Sequence, residues 1–359
     1  NAYTEDTGIK PTTAAAIPQQ TTTTGITTEI PSTEISNVAP LTATTKVQDT
    51  DQLLIKTPIK EIAIALNGGD ISQILLKEFP TSLKTPDTPI ALLDTNDRIY
   101  IAQSGLVGTD GPDAAADGRP LYSAEKTEYV VNEPTDISIS TETSSGLIVT
   151  KTFSVDPTRY DIAVTHTVKN TSSANKTVSP FVQLKRDNSA DPSIQNSMGM
   201  QAFLGYALRT ADERYRKISF SDFEADNDAR ELNTELKTNA VAGGHLALLQ
   251  HYFTSAWIPS SDQTHRYSFR TNQDGHFIGS IVSPDLVVPA GETRSTEAVF
   301  YAGPKDQDAL ELLSPGLELV VDYGWLWFIA QPLFWLLKFI QTYVSNWGLA
   351  IILVTVLVK

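Results

Sequence analysis

Cysteine is absent from all 359 residues. That excludes disulfides, thiolate nucleophiles and cysteine-ligated metals together. It leaves the compartment open, because a chain this long can bury a core that needs no covalent staples. Positive charge is scarce: 27 Lys and Arg against 42 Asp and Glu give a formal charge of −15. A duplex would repel such a field, so nucleic acid is excluded as a partner. No basic start followed by an apolar centre stands at Asn1, so no signal peptide is read there. The expectation is that the start was processed or that an upstream segment precedes it.

Motifs for bound groups are missing as well. "GLVGTDG" (Gly105–Gly111) is glycine-rich, but it lacks the lysine of a phosphate-cradling loop and opens no helix. No Gly-x-Ser-x-Gly elbow occurs. The five histidines, His166, His245, His251, His265 and His276, have no metal-ligand spacing and read as hydrogen-bonded structural residues. Asp222, Glu224, Asp226 and Asp228 begin like a calcium loop, but Asn227 stands where glycine is needed and Asn233 where glutamate is needed. Asp110, Asp113 and Asp117 match no calcium pattern either. No cofactor, no metal and no catalytic residue are expected. Paired carboxylates for glycoside chemistry stay open, since their pairing is spatial.

What is present begins with a low-complexity stretch of Thr, Ala, Pro and Ser over residues 1–50. Its apolar residues are too sparse to offset ordering entropy, and it reads as a disordered tether. From about Leu53 the pattern changes to strands. "EIAIAL" (Glu61–Leu66), the turn "NGGD" and "ISQILL" read as a hairpin whose glycines supply positive φ. "RIYIAQS", "DISIS", "GLIVTKTFSV", "YDIAVTHTVKN", "HFIGSIVS" and "RSTEAVFYAG" repeat the theme, rich in Val, Ile, Thr, Tyr and Phe. Many strands without alternating long helices predict a mainly β fold, an enlarged antiparallel two-sheet sandwich over residues 51–316. Within it one helix is read, at Asp306–Leu313. "GTDGPDAAADGRP" and "SDFEADNDAREL" are read as long loops.

Four of the five tryptophans, Trp325, Trp327, Trp335 and Trp347, fall in the last thirty-five residues. Such rings favour the membrane–water interface. Gln331, Lys338, Thr342 and Ser345 recur at spacings of seven, four and three, which is one narrow polar stripe on a helix whose other faces are Leu, Phe, Trp and Ile. Residues 317–345 therefore read as a connector and an amphipathic helix lying in the plane of a bilayer, with Trp325, Trp327, Phe328, Trp335, Lys338 and Trp347 as interface anchors. Pro332 either opens that helix or kinks it.

"GLAIILVTVLV" (Gly348–Val358) is too short to span alone and reads as the first part of a transmembrane helix over residues 346–359. Lys359 stands twelve residues beyond Trp347, about 18 Å deep at about 1.5 Å per residue. An ammonium there is a functional-site candidate or a snorkelling side chain, and spacing does not choose between them.

Four stretches carry a resemblance to a known family: "NGGDISQILL", "QSGLVGTDGPD", "GGHLALLQHYFTSAWIP" and "VDYGWLWFIAQPLF". They resemble the YidC family of inner-membrane protein insertases of Gram-negative bacteria, with coverage from about Leu53 onward. The resemblance implies a transmembrane helix before Asn1, a large periplasmic β-sandwich, an interfacial helix, and a bundle enclosing a hydrophilic groove with one basic residue. That residue falls on Lys359; many members have arginine there, so bidentate pairing to a substrate carboxylate is weakened. The implied partners are nascent inner-membrane proteins, Sec translocon components and the lipid bilayer.

Two other readings compete. A periplasmic carbohydrate-binding or mutarotase-like domain needs a histidine, His245 or His251, converging with an acid in a cleft. A periplasmic chaperone or docking module would bind peptides or Sec components through a cleft or strand edge.

Overall fold

The structure, a computed structural model, describes residues 30–31, 52–82, 84–115, 118–191, 203–238, 242–321 and 327–359. The tether expected over residues 1–50 lies outside the described residues except at Ile30 and Pro31.

Two large sheets face each other. Sheet I runs from edge to edge as β16 (Arg266–Thr271), β17 (Phe277–Val282), β11 (Lys176–Arg186), β5 (Tyr100–Val107), β3 (Asp70–Ser82), β2 (Lys60–Ala65), β1 (Gln52–Lys56) and β7 (Glu128–Val130). β4 (Thr85–Leu93) pairs with β3 and β18 (Leu286–Val288) with β11. Sheet II runs β13 (Arg216–Ser219), β12 (Gly205–Leu208), β14 (Leu246–Leu249), β15 (Phe253–Pro259), β19 (Thr293–Pro304), β10 (Asp161–Asn170), β9 (Leu147–Val155), β8 (Thr135–Glu142) and β6 (Ser123–Ala124). Among the described pairs, β1 with β7 is parallel and the others are antiparallel. The mainly β, two-sheet architecture read from the sequence is the one observed.

Alternation sets which side chains meet between the sheets. Along β9, Leu147, Val149, Phe153 and Val155 are buried, and Ile148, Thr150, Thr152 and Ser154 face outward. In β10, Ile162, Val164 and Val168 join the same core. The "NGGD" turn joins β2 to β3 as expected, with Gly68 and Gly69 at φ of +78° and +62°. Gly68 is needed for a second reason: a Cβ there would come within 2.5 Å of the Arg119 guanidinium carbon.

One expectation is overturned. The acidic stretch read as a loop contains a helix, α1 (Asp226–Thr238). Its apolar residues are few, but Ala229, Leu232 and Leu236 stack on one face and are buried in the core. Tertiary partners complete what propensity lacks. Asn233 Nδ2 donates to Phe269 O at 2.8 Å, and the Phe269 N–H donates to Asn233 Oδ1 at 2.7 Å. The helix thereby closes the open edge of β16, which would otherwise offer unpaired backbone groups. Asn233→Ala should cost about 1–3 kcal/mol through those two groups. Urea unfolding reads the loss, and the Phe269 amide should exchange with solvent distinctly faster; an unchanged midpoint and exchange rate would contradict the clamp.

The helix read at Asp306–Leu313 is α2 (Gln307–Leu313), with Asp306 as N-cap accepting from the Asp308 and Ala309 N–H groups. Two helices end the chain, α3 (Trp327–Val344) and α4 (Trp347–Val358).

Candidate membrane-landing site and its joint to the sandwich

The outward face of sheet II carries a floor of small residues: Ala207, Ala247 and Ala256 lie beside Leu249, Ile258 and Tyr301. Onto it pack Leu310 of α2 and Leu317 and Val320 of the short 3-10 turn that follows. Small side chains let these backbones approach closely. The "GGH" and "SPG" sequences, far apart in the chain, meet at this joint. Gly243 and Gly244, at φ of +70° and +87°, turn His245 inward, where it is fully buried. His245 Nδ1 lies 3.0 Å from Ser314 Oγ, and the His245 carbonyl accepts from the Tyr267 hydroxyl at 3.2 Å. Burial, reinforced by the charge of Arg209, pushes the imidazole pKa down to about 3. The ring is therefore neutral at physiological pH and serves as a structural peg. Gly316, at φ of +96°, sits so close to the Arg214 carbonyl oxygen that a Cβ would come within 2.8 Å of it. The exit of the chain from the sandwich is thus fixed by backbone geometry as well as by packing.

Beyond the joint, α3 begins at Trp327, so Pro332 lies inside the helix and deprives it of one backbone donor. Lys338 Nζ pairs with Asp308 Oδ2 of α2 at 2.8 Å and lies 5.5 Å from the Phe334 ring centroid. Both partners of this ion pair are solvent-accessible, which makes it worth under about 1 kcal/mol. It brings α3 into contact with α2. Lys338 of the polar stripe makes this contact, while Ile329, Trp335, Phe339 and Tyr343 of α3 are exposed. Trp335 stacks on Phe339 with centroids 5.6 Å apart, and Phe339 meets Tyr343 edge-on at 5.2 Å. These three rings are 66%, 48% and 77% exposed and form a contiguous aromatic ridge.

Ser345, at φ of +53°, turns the chain, and Asn346 caps α4 by accepting from the Leu349 N–H at 3.1 Å. In α4, Trp347, Leu349, Ile351, Ile352, Leu353, Val356, Leu357 and Val358 are exposed, and Ala350 is buried where α4 packs on α3. Among the described residues, no helix is long and apolar enough to cross a membrane.

The residues singled out from sequence are distributed as follows. Trp335, Lys338 and Trp347 belong to this helical pair, and Lys359 is exposed at the end of α4. Trp327 and Phe328 open α3, while Trp325 lies outside the described residues. Sequence reasoning missed Asp308 as the partner of Lys338 and Ser314 as the partner of His245. The only sequence signal for either was the Asp306 cap that places α2.

Among the described residues, the histidine–carboxylate pair that a sugar site needs does not form at His245 or His251. His245 meets a serine, and Asp191 accepts from the backbone N–H of His251 at 2.7 Å rather than from its ring. Among the described residues no group of His, Asp and Glu is placed to hold a metal.

Comparison with known proteins agrees with this geometry. A family model described as the YidC periplasmic domain matches residues 52–336. The membrane protein insertase YidC of Azotobacter vinelandii is 45% identical over 312 residues, covering 86% of this chain and 54% of that protein. The membrane protein insertase YidC of Pseudomonas fluorescens Pf-5 is 41% identical over 352 residues, covering 97% of this chain and 62% of that protein. The chain thus spans little more than half the length of the curated relatives it matches. A galactose mutarotase related enzyme from Lactobacillus acidophilus superposes with a TM-score of 0.44 at 9% identity, over 70% of this chain and 97% of that one, too loosely to support any argument.

Proposed function

Since the chain belongs to the YidC periplasmic domain family, we propose that it is the periplasmic sandwich and membrane landing of a bacterial inner-membrane insertase. In this reading it assists insertion and folding of nascent inner-membrane proteins, alone or with the Sec translocon, and is not an enzyme. The observation that carries the reading is the family match running through the sandwich and into α3, the helix that leaves an aromatic ridge uncovered.

Residues 51–316 are the sandwich, 317–345 the connector and interfacial helix, and 346–359 the start of a transmembrane helix. Trp325, Trp327, Phe328, Trp335, Lys338 and Trp347 anchor the landing, with the rings at headgroup depth. Lys359 is the basic residue of the substrate groove. Insertion poses a solvation problem, because a translocating segment carries polar groups that cost several kcal/mol each in hydrocarbon unless they find partners. A wet, positively charged groove partway through the bilayer supplies those partners and attracts acidic segments. No covalent step is required.

Replacing Trp335, Phe339 and Tyr343 together by serine should lower partitioning of this chain into phosphatidylcholine vesicles by at least about tenfold, because burial of even one ring contributes about 1.5 kcal/mol or more. Equal flotation of both forms would remove the landing role. In the full-length protein, Lys359→Glu should abolish rescue of insertase-depleted cells and Lys359→Arg should retain it; rescue by both would take Lys359 out of the groove.

A further inference from the structure

Where β5, β11, β17 and β16 lie side by side, the outward face of sheet I is covered rather than open. Their register puts Gly105, Phe181, Val282 and Arg266 in one row across the four strands. Gln103, Gln183, Ser280 and Ser268 form the next row, and Ile101, Lys185, Ile278 and Arg270 a third. Residues of the opposite parity, such as Ala102, Leu184, Ile281 and Phe269, belong to the core between the sheets.

This outward face has a built character. Phe181 and Val282 join Val107 in a small apolar cluster separate from the main core. Beside it Gln183 accepts at Oε1 from Arg270 Nη2 at 2.9 Å and from Ser280 Oγ at 3.0 Å, and its amide donates to Gln103 Oε1 at 2.7 Å. Such a linked polar floor is already satisfied within itself, so an apolar segment can lie along it without stranding a buried donor. Arg266 and Arg270 stand on the edge strand β16, and Lys185 stands on β11.

Ile30, far upstream of β1 in the sequence, packs against the Val107–Phe181–Val282 cluster, and Pro31 is buried next to it. The surrounding sequence is Thr28-Glu29-Ile30-Pro31-Ser32, and a second Thr-Glu-Ile follows at once as Thr33-Glu34-Ile35. Proline fixes φ and has no N–H to satisfy, which lowers the ordering cost of holding such a segment on a flat face.

We propose that the outward face of sheet I is a docking groove for an Ile-Pro segment, and that its resident is this chain's own Ile30–Pro31, bound in cis. The sandwich is then held on both sides: the N-terminal segment is clipped to the outward face of sheet I, and the landing joint sits on the outward face of sheet II.

The absence of cysteine from the chain makes the test free of background. Ile30→Cys is combined with Val107→Cys in one protein and with Val282→Cys in another, and each is oxidised mildly. The proposal expects at least one pair to give a faster-migrating monomer on non-reducing gels, since a disulfide requires Cβ atoms about 3.8 Å apart. A covalent dimer would assign the groove to a second copy, and no cross-link in either protein would remove the docking; both results overturn the proposal. As an independent measurement, a fluorescent peptide of residues 26–36 is titrated against the wild-type chain and against I30D. The vacated variant should bind at least about tenfold more tightly, because the resident segment competes at a high effective concentration. Equal binding to both, or binding to neither, overturns the proposal.

Discussion

Arg119→Ala should destabilise the sandwich by about 3–5 kcal/mol, the cost of stripping the counter-charge from buried ions. Arg119 joins two strands, β3 and β5, to the turn at Gly68 and to the loop that carries Asp113. It pairs through Nη1 with Asp70 and through Nε with Asp113 Oδ1 at 2.8 Å, and its Nη2 donates to Ser104 O at 2.7 Å. Asp113 is wholly inside, and Asp70 and Arg119 are nearly so. Burial would by itself lower the guanidinium pKa, but the two carboxylates outweigh it and hold the pKa above its ordinary value. Lys151 sits against the same assembly, fully buried, donating to the carbonyls of Gly68, Gly69 and Ser104 at 2.8–3.0 Å. Burial pushes its pKa down to about 8. Without Arg119, Asp70 and Asp113 face each other with only that ammonium to balance them. Arg119→Lys should restore little, because one ammonium cannot reach both carboxylates and two carbonyls in the planar geometry of a guanidinium. Urea unfolding of the three proteins decides it. A loss below about 1 kcal/mol for the alanine variant would mean that the carboxylates are solvated and the network is incidental.

That network also marks where sequence reading stops. The hairpin at "NGGD" and the alternation of β9 and β10 were legible because their signals are local: turn glycines and a period of two. The glycines read as turn formers, yet Gly68 equally makes room for Arg119, and nothing near it in sequence announces a partner so far along the chain. The α1 helix was hidden for a related reason. Three apolar residues in an acidic thirteen-residue stretch fall below any local threshold, and only the exposed edge of β16 makes Asn233 decisive. At the other end, the narrow polar stripe made α3 legible as a helix by periodicity alone. Its attachment was not, because Lys338 and Asp308 are brought together by packing that the sequence pattern does not encode. Local chemistry thus gave elements and faces, and the long-range charge pairing appeared only with the fold.

The histidines supply the second large effect, an acid instability with a defined sign. His245 is fully buried with its pKa near 3, and His166 is held well below its ordinary value by burial and by the charges of Lys151 and Arg119. In the unfolded chain both protonate near pH 6.5. Below that pH the unfolded state binds protons that the folded state refuses, so stability present above pH 6.5 is lost as pH falls toward the folded values. At about 1.36 kcal/mol per pH unit, His245 should remove about 2.5 kcal/mol between pH 7 and pH 4.5, and His166 contributes a loss of the same sign. Other groups titrate in this range, so the informative quantity is a difference of differences. His245→Gln keeps a polar side chain near Ser314 but cannot protonate. Its stability change between pH 7 and pH 4.5, measured by urea unfolding, should be smaller than that of the wild-type chain by about 2.5 kcal/mol. Parallel losses in the two proteins would mean that His245 already carries its proton when folded, in contact with solvent. The peg at the joint would then be a titrating surface group, and α3 and α4 would hang from a hinge that loosens with acid.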